Sequence, residues 1–445
     1  MQKKNITNIT RLILYIWNIG LFAGIWITFY NSKAFPAHMI SGICASIISY
    51  AIVYSYWCYV YSAFKIASSS ISEIVFSHFI SFGIADMICY VECCLICRRY
   101  VNIIPGAVVV VLQLLGTAII VCIAKNFLIK RIIPQKTIIL YGQAITREQA
   151  EDFKVRLLKK YDHLFDVVYL YSENVTDNIL RSRLQECSTV FLYEIQSQLR
   201  VKYMLMCMEN GLEFFFSPSL EDIFCQGSTA KHLFDTPLYK YEYEKDSREG
   251  AIKRLLDVIF SVVLLIVSLP LTIIIAIVIK LEDKGPVFYK QSRVTKNGKI
   301  FEIFKFRSMI VDAEKDGAVP YVNGDLRITK VGRWIRATRL DELPQLINIL
   351  KGDMSFVGPR PERVEHVQKY TDELPEFSHR LRVKGGLTGY AQVYGKYNTT
   401  PYDKLRLDLI YIENQSILLD LKIMALTIKT IFSKESTEGF GEKQR

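Results

Sequence analysis

The chain has 445 residues, a length that accommodates about three domains of ordinary size. Apolar side chains make up 51% of it and concentrate in the first 130 residues, whereas lysine and arginine concentrate in the last 200. The net charge of +11 suits an anionic membrane face and phosphate-bearing ligands. Nucleic acid is the other usual partner of a basic protein, but no nucleic-acid motif is present and the long apolar runs argue against that class.

All ten cysteines precede residue 226, and several lie within apolar runs, so the sequence indicates no disulfide framework. Cys94 and Cys97 form a C-x-x-C pair, with Cys93 adjacent, but no second pair or histidine partner accompanies them. Ordinary membrane-helix cysteines are therefore favoured over a zinc site. The chain after Cys225 has no cysteine, which excludes thiol chemistry there.

Four apolar stretches open the chain, and each approaches or exceeds the roughly 20 residues that a membrane-crossing helix requires. They are Leu12–Tyr30, His38–Tyr61, Ile71–Cys97 and Ile104–Leu128. The first resembles a signal peptide, but it has no small-residue cleavage pattern and three further stretches follow, so we interpret it as retained. Basic residues at both ends of this four-span helical bundle, residues 1–130, place both ends in the cytoplasm, although Arg98 and Arg99 then lie outside.

Strand-like and helical segments alternate in the next part of the chain. The predicted strands are Thr137–Leu140, Asp166–Leu170, Thr189–Tyr193 and Glu213–Phe216, and the predicted helices are Arg147–Tyr161 and Gln196–Glu209. This alternation predicts a parallel sheet with Rossmann-like winding in an α/β domain, residues 131–238. A dinucleotide site calls for several glycines after the first strand, and only Gly142 is present, so we favour a structural or regulatory module. Charged, tyrosine-rich residues 239–250 are interpreted as a linker.

Residues 251–284 form the next predicted unit, because Leu255–Leu281 is apolar and long enough to cross a bilayer. Ser268 and Pro270 lie near its middle. One interpretation is a fifth transmembrane helix. Basic residues flank both ends, however, and favour two cytoplasmic ends, so we predict a re-entrant helix that is broken at Pro270.

The remaining residues, 285–445, are assigned to an α+β catalytic domain. Pro286–Val294 and Lys299–Arg307 are predicted strands joined by an Asn-Gly hairpin turn. Lys305 and Arg307 alternate with two phenylalanines on the second strand. This pattern gives either a solvated basic face or a pair of phosphate-binding cations.

Asp341 and Glu342 are the central candidates for chemistry. They precede a helix whose apolar face is predicted to contain Leu343, Leu346, Ile347 and Leu350. Acidic pairs at this position are often ordinary helix caps. Here the many nearby basic residues, Arg336 among them, favour a reactive site instead.

A rigid arginine follows in the turn Gly358-Pro359-Arg360-Pro361. The two prolines hold the backbone around Arg360, and a guanidinium group matches phosphate oxygens by paired hydrogen bonds. The glycine-rich stretch 384–389 is a weaker candidate for close approach to a phosphate. Adjacent carboxylates among cations indicate chemistry on phosphorus, in which one carboxylate attacks while a divalent ion and arginines neutralise the phosphoryl oxygens.

Three segments of this domain resemble the bacterial polyprenyl-phosphate phosphoglycosyl transferases. They read KFRSM at 305–309, LDELPQ at 340–345 and KGDMSFVGPRP at 351–361. The similarity extends from Lys253 to about Thr430. The membrane and α/β regions before it resemble the larger members of that family, which initiate exopolysaccharide, capsule or O-antigen synthesis.

The resemblance implies a two-step reaction. Asp341 is expected to attack the β-phosphate of a UDP-sugar and expel UMP, after which undecaprenyl phosphate takes the sugar phosphate. Glu342 is expected to help Asp341 bind Mg²⁺ or to manage a proton of the acceptor. Lys305, Arg336 and Arg360 match the phosphate-facing cations of the family.

The resemblance also implies a location. The catalytic domain is expected to be monotopic, on the cytoplasmic side of the bacterial inner membrane, and held in the lipid bilayer by the re-entrant helix. Ser268 and Pro270 correspond to the Ser-Pro break of the family with one residue inserted between them. The C-terminal helices are expected to lie along the membrane interface.

Two other functions stay open. One is a glycosyltransferase that moves only the sugar and releases UDP. The other is a non-enzymatic scaffold of a polysaccharide assembly complex, against which the intact Asp-Glu pair and Pro-Arg-Pro turn argue. The sequence leaves open which sugar is transferred, whether the α/β module binds a ligand, and the oligomeric state, with a homodimer as one option.

Overall fold

The computed structural model describes residues 2–31, 39–242, 247–311, 313, 325–395 and 399–431. The chain divides into two compact units, Met1–Ser217 and Pro218–Arg445. The first unit contains four apolar helices and a parallel sheet. The second contains one long apolar helix and an α+β domain.

Four long apolar helices form the start of the first unit. They are α1 (Gln2–Ile25, continued by a π-helical segment at Trp26–Tyr30), α2 (Met39–Val60), α3 (Ile71–Cys97) and α4 (Ile104–Ile129). Each is long and apolar enough to cross a membrane. The predicted apolar stretches lie on these helices, except that the second one begins at His38, outside the described residues, and ends at Tyr61, one residue after α2. The number of membrane crossings stays a prediction.

The interior of this helix bundle is polar as well as aromatic. Nδ2 of Asn18 donates hydrogen bonds to Tyr54 Oη at 3.0 Å and to Thr117 Oγ1 at 3.3 Å, and Tyr54 Oη lies 2.9 Å from Nδ1 of His78. Because each helix contributes one of these residues, the network ties all four together. The C-x-x-C cysteines lie on α3, and no group of three histidine, cysteine or acidic side chains converges within the described part of the chain.

A four-stranded sheet completes the first unit. Its elements are β1 (Gln135–Tyr141), α5 (Arg147–Tyr161), β2 (Phe165–Ser172), α6 (Asp177–Leu184), β3 (Thr189–Tyr193), α7 (Ser197–Glu209) and β4 (Glu213–Phe216). The strand order is β2-β1-β3-β4, and all neighbouring strands run parallel. The predicted strands and parallel sheet are confirmed. Helix α6 was not predicted.

Gly142, the single glycine after β1, has a packing role. A Cβ atom added to it would lie 1.9 Å from the carbonyl oxygen of Glu194, in the segment after β3. Its amide also donates a hydrogen bond to Tyr193 O at 3.0 Å. The glycine is therefore required for the close approach of two segments at the carboxyl edge of the sheet.

The second unit begins with α8 (Leu220–Gln226) and an antiparallel hairpin of β5 (Thr229–Leu233) and β6 (Thr236–Lys240). The long apolar helix α9 (Ser247–Asp283) follows. Strands β7 (Phe288–Val294) and β8 (Ile300–Phe306) then pair as an antiparallel hairpin. The turn at Lys296–Gly298 joins them, so the predicted Asn-Gly hairpin is confirmed.

Short elements make up the rest of the α+β domain. They are α10 (Lys330–Ala337), α11 (Gln345–Lys351), β9 (Met354–Val357), α12 (Val364–Glu373), β10 (Gly385–Thr388), α13 (Tyr390–Tyr394), α14 (Pro401–Glu413) and α15 (Ile417–Ile431). Two 3-10 segments, Leu340–Glu342 and Pro375–Arg382, precede α11 and β10. Strands β9 and β10 pair in parallel at the centre of the domain.

Residues 218–238 belong to this second unit, although the sequence assigned them to the α/β domain. Ile223 of α8 is fully buried in the same apolar core as Leu405 and Leu409 of α14. The predicted linker at 239–250 overlaps two elements, since β6 ends at Lys240 and α9 begins at Ser247. Residues 243–246 of that linker lie outside the described residues.

Helix α9 runs through Pro270 without interruption, so the helix break that the sequence predicted is absent. Proline removes one backbone donor, and helical bonding continues on both sides of it here. Both flanks of α9 contact the α+β domain: Arg254 donates to Leu350 O at 2.7 Å, and Ile279 packs in a core with Phe306. Between the flanks the helix exposes a run of apolar side chains, including Ile266, Val267, Leu269, Ile273 and Ile274.

Candidate active site

Asp341 and Glu342 lie on the 3-10 segment between α10 and α11, so they precede α11 as the sequence predicted. Arg339, directly before this segment, has a left-handed backbone with φ of 55°. That conformation costs a non-glycine residue about 1 kcal/mol, and such strain clusters at functional sites. Asp341 is 9% exposed. The two carboxylates are therefore held on a strained turn inside the domain.

The inward face of α11 differs from the prediction. Leu346 and Ile349 are buried, whereas Ile347 is 38% exposed. Asn348 is also fully buried. Its side-chain amide is satisfied there, because it accepts a hydrogen bond from Phe304 N at 2.9 Å and donates one to Glu302 O at 2.7 Å. A periodicity argument based on apolar residues cannot identify a buried asparagine. This asparagine fixes strand β8 immediately before Lys305.

Glu342 brings together two of the predicted cations. Its Oε1 lies 2.9 Å from Lys305 Nζ on β8 and 2.8 Å from Arg360 Nη2 on the Pro-Arg-Pro turn. The residues are 37 and 18 positions away from Glu342 in sequence. The Arg360 side chain is still 35% exposed, and a guanidinium group has five donors, so donors remain for a ligand.

The two carboxyl groups have pKa values shifted in opposite directions. Burial alone would raise the pKa of Glu342, but Arg360 and Lys305 outweigh burial and hold this pKa well below its usual range. Burial raises the pKa of Asp341, and the charge of Glu342 adds to this effect. Within the described part of the chain, no side chain donates a hydrogen bond to Asp341. Glu342 is thus a fixed anion, and Asp341 is a desolvated carboxyl group with unused oxygens.

Arg336 and Arg307 have different positions relative to this pair. Arg336 lies in the last turn of α10, which ends at Ala337 shortly before the 3-10 segment, and its charge opposes the effect of burial on the pKa of Asp341. Arg307 is buried and forms an ion pair with Asp283 at the end of α9. The structure therefore brings Arg336 to the site and gives Arg307 a partner elsewhere, so the expected phosphate contact of Arg307 has no support in this geometry.

The glycine-rich stretch 384–389 has a structural position that the sequence did not predict. Residues Gly385–Thr388 form β10, beside β9, instead of an open loop. A Cβ atom on Gly386 would lie 2.1 Å from Gly358 N, and Gly386 N donates to Pro359 O at 2.9 Å. These glycines allow the backbone of the Pro-Arg-Pro turn to pack closely. They affect Arg360 only through the packing of the backbone that carries it.

The donor set fits magnesium in a limited way. Magnesium prefers oxygen ligands and commonly binds through one or two carboxylates together with substrate phosphates. Asp341 and Glu342 supply two carboxylates, and no group of three candidate ligands exists among the residues that the structure describes. The site therefore fits an ion shared with a phosphate ligand better than an ion enclosed by protein alone.

Two comparisons with known proteins agree on this domain. A family model described as bacterial sugar transferase matches residues 248–434. The chain is 51% identical over 138 residues to a putative undecaprenyl-phosphate N-acetylgalactosaminyl 1-phosphate transferase of Bacillus subtilis. That match covers 31% of this chain and 77% of the relative.

Two further relatives match longer stretches of the chain. A UDP-N-acetylgalactosamine-undecaprenyl-phosphate N-acetylgalactosaminephosphotransferase of Aeromonas hydrophila is 40% identical over 214 residues, 47% of each chain. A UDP-glucose:undecaprenyl-phosphate glucose-1-phosphate transferase of Klebsiella pneumoniae is 41% identical over 296 residues, 62% of each chain. The chain thus matches about half to three-fifths of the length of these two relatives.

Proposed function

The chain belongs to the bacterial sugar transferase family, and from this premise we propose that it transfers a sugar-1-phosphate from a UDP-sugar to undecaprenyl phosphate. The observation that carries the proposal is the pairing of a desolvated Asp341 with Glu342, which binds both Lys305 and Arg360. This arrangement offers a nucleophile beside cations that suit phosphate oxygens.

In the first step, a carboxylate oxygen of Asp341 attacks the β-phosphorus of the UDP-sugar. The bond between that phosphorus and the oxygen bridging the two phosphates breaks, and UMP leaves with that oxygen. Asp341 then carries the sugar phosphate as an acyl phosphate. The remaining donors of Lys305 and Arg360 stabilise the negative charge on the phosphoryl oxygens during this exchange.

In the second step, a phosphate oxygen of undecaprenyl phosphate attacks the same phosphorus. The bond to the Asp341 oxygen breaks, and undecaprenyl-diphosphate-sugar forms while the carboxylate is restored. The acceptor oxygen is already anionic, so no general base is required. This agrees with the lowered pKa of Glu342, because a strongly acidic carboxyl group accepts protons poorly.

Glu342 is therefore proposed as the anchor of Lys305 and Arg360 rather than as a proton carrier. Asp341 and Glu342 are also the residues that would hold magnesium. When bound, the ion would supply charge neutralisation at the diphosphate. Glu342 has a second carboxylate oxygen beyond the Oε1 that binds both cations, and that oxygen can face a ligand.

We propose that α9 enters and leaves the membrane on one side. Its apolar middle is exposed, while Arg254 near one end and Ile279 near the other both contact the α+β domain. A spanning helix would place its ends on opposite sides of the membrane, so contact of both flanks with one domain favours the re-entrant arrangement and a membrane-facing catalytic domain. Because helical hydrogen bonding continues through Pro270, this arrangement requires α9 to bend there without breaking, as a helix with an internal proline can.

The names of the relatives support the acceptor more firmly than the sugar. Three of them name undecaprenyl phosphate, but the sugars named are N-acetylgalactosamine and glucose. We therefore propose the common acceptor and a UDP-hexose or UDP-N-acetylhexosamine donor. The expected place is the cytoplasmic side of the bacterial inner membrane, at the start of exopolysaccharide, capsule or O-antigen synthesis.

The test is nucleotide release by the purified full-length protein in detergent with undecaprenyl phosphate, magnesium and a panel of UDP-sugars. The proposal predicts UMP, with one donor preferred. Release of UDP would show that only the sugar moves. Release of no nucleotide from any UDP-hexose or UDP-N-acetylhexosamine would favour the non-enzymatic scaffold. Protein with Asp341→Asn is the matched control in each assay.

A further inference from the structure

The turn that carries Arg360 is held by contacts outside the reactive site. The carbonyl oxygen of Arg360 accepts a hydrogen bond from Arg380 Nη2 at 2.9 Å, and that of Pro361 accepts one from Arg293 Nη1 at 3.1 Å. The carbonyl of Pro359 accepts from Gly386 N at 2.9 Å. Proline fixes φ only, so these three consecutive carbonyl contacts set the remaining backbone direction.

Arg380 is buried and firmly paired. Its side chain is 2% exposed, and that of Asp408 on α14 is 1% exposed. Oδ2 of Asp408 lies 2.7 Å from Nη2 and 2.9 Å from Nε of Arg380. The planar guanidinium group therefore binds Asp408 along one edge and still donates to the carbonyl of Arg360.

A second acidic residue completes the cluster. Glu362, next to the turn, pairs with Lys404 of α14 and has an oxygen 3.9 Å from Arg380 Nη1. Burial alone would raise the pKa of Glu362, but Lys404 and Arg380 lower it to about 2. The charges of this cluster thus compensate one another around the base of the turn.

Stability by itself does not explain such a cluster. Replacing a buried ion pair by apolar side chains of similar size is often neutral or stabilising, because desolvation offsets the attraction between the charges. An apolar pair at 380 and 408, however, could not donate to the carbonyl of Arg360. What the ion pair supplies uniquely is a directed hydrogen bond to the turn.

We propose that Arg380, oriented by Asp408, is a positioning residue that fixes Arg360 for phosphosugar transfer, with Arg293 holding the adjacent carbonyl. This proposal rests on the proposed function. Neither Arg380 nor Arg293 touches the carboxylates directly; each acts through the backbone of the turn. A misplacement of about 1 Å by such a route can reduce a rate by about 100-fold.

The informative variant is Arg380→Lys, assayed as UMP release by the full chain in detergent. Lysine keeps the charge beside Asp408 but lacks the planar fork. We expect kcat to fall about 10- to 100-fold, with the KM for the UDP-sugar changed less than about 3-fold. The matched control is Arg382→Lys, since the Arg382 side chain is 9% exposed and pairs with Glu413 and Tyr241. That control is expected within about 2-fold of the parent.

A double-variant cycle distinguishes positioning from a general structural effect. If Arg380 acts through Arg360, adding Arg380→Lys to Arg360→Ala causes no further loss of kcat. Losses that multiply would overturn the proposal. Arg293→Lys offers the same cycle should Arg380→Lys unfold, as judged by its thermal midpoint. A parent protein that releases no UMP refutes the proposed function, whereas an active parent with multiplicative losses refutes only the positioning role.

Discussion

Two buried charge clusters in the α+β domain use the same kinds of side chain in different ways. The reactive cluster consists of Asp341, Glu342, Lys305 and Arg360, and the holding cluster consists of Arg380, Asp408, Glu362 and Lys404. In the reactive cluster, Arg360 is 35% exposed and keeps unused donors. In the holding cluster, Arg380 and Asp408 are 2% and 1% exposed and bind each other.

The difference shows that one domain uses separate charge clusters for binding a ligand and for holding the backbone in place. Where opposite charges are buried and paired with one another, as Arg380 and Asp408 are, they fix geometry instead of binding a ligand. Where a carboxylate is desolvated and nearby cations keep free donors, the site can react with an incoming phosphate. The Pro-Arg-Pro turn connects the two, because its side chain reaches one cluster and its backbone the other.

The largest effect is expected when the same substitution, aspartate to asparagine, is made in each of the two clusters. Asp341→Asn should reduce UMP release at least about 1,000-fold, because a carboxamide cannot take the role of the nucleophile. Its thermal midpoint should stay equal or rise, since a costly desolvated charge is removed. Asp408→Asn should instead destabilise the protein by about 2–4 kcal/mol while keeping measurable activity. Nucleotide release and thermal unfolding in detergent check both; full activity of Asp341→Asn would contradict the assignment.

A smaller loss is expected from Glu342→Gln. Glutamine cannot form charge-assisted bonds with Lys305 and Arg360, so both cations lose their fixed positions. We expect kcat to fall about 10- to 100-fold, with the protein still folded. Steady-state kinetics measure this, and Glu302→Gln, at an exposed surface ion pair, serves as the control. An unchanged kcat would show that Glu342 has no role in the reaction.

The pH dependence follows from the raised pKa of Asp341. A raised pKa favours the protonated form, so the ionised nucleophile is lost as pH falls through a value above the usual one near 4. Removing the charge of Glu342 lowers the pKa of Asp341, so the acid limb of kcat in Glu342→Gln should move to lower pH. Profiles of parent and variant test this, and a shift to higher pH would contradict the coupling.

The smallest effect concerns stability at the holding cluster. Because the pKa of Glu362 is lowered to about 2, its stabilising contribution is full above its ordinary value near 4.3 and is lost as pH falls toward 2. Glu362→Gln should cost about 2 kcal/mol at pH 7, and the difference from the parent should shrink below pH 4. Thermal midpoints across this range measure it, and a constant difference would show that the charge is not the cause.

The sequence predicted the reactive cluster better than the holding cluster. Asp341, Glu342 and Arg360 lie in short motifs whose residues are close in sequence, so the sequence alone showed which charged residues surround them. Arg380 and Asp408 are 28 positions apart, and no sequence motif links them. A buried charge and a solvated one look the same in a sequence, and only the fold shows that these two are paired.

The fold itself was predictable where a pattern repeats locally. Apolar length gave the long helices, and strand-helix alternation gave the parallel sheet. The packing of α8 against α14 and the inward position of Asn348 depend on contacts with distant residues. Such contacts override local periodicity, which explains why those predictions were wrong or missing.

The central claim is that Asp341 carries the sugar phosphate between the two half-reactions. The most direct measurement is intact and peptide mass spectrometry of the purified protein after mixing with the preferred UDP-sugar and magnesium, without undecaprenyl phosphate. The account predicts about one equivalent of UMP and a sugar-phosphate mass on the peptide containing Asp341, which later undecaprenyl phosphate removes. An unmodified Asp341 peptide, together with UMP that forms only when the acceptor is present, would contradict it.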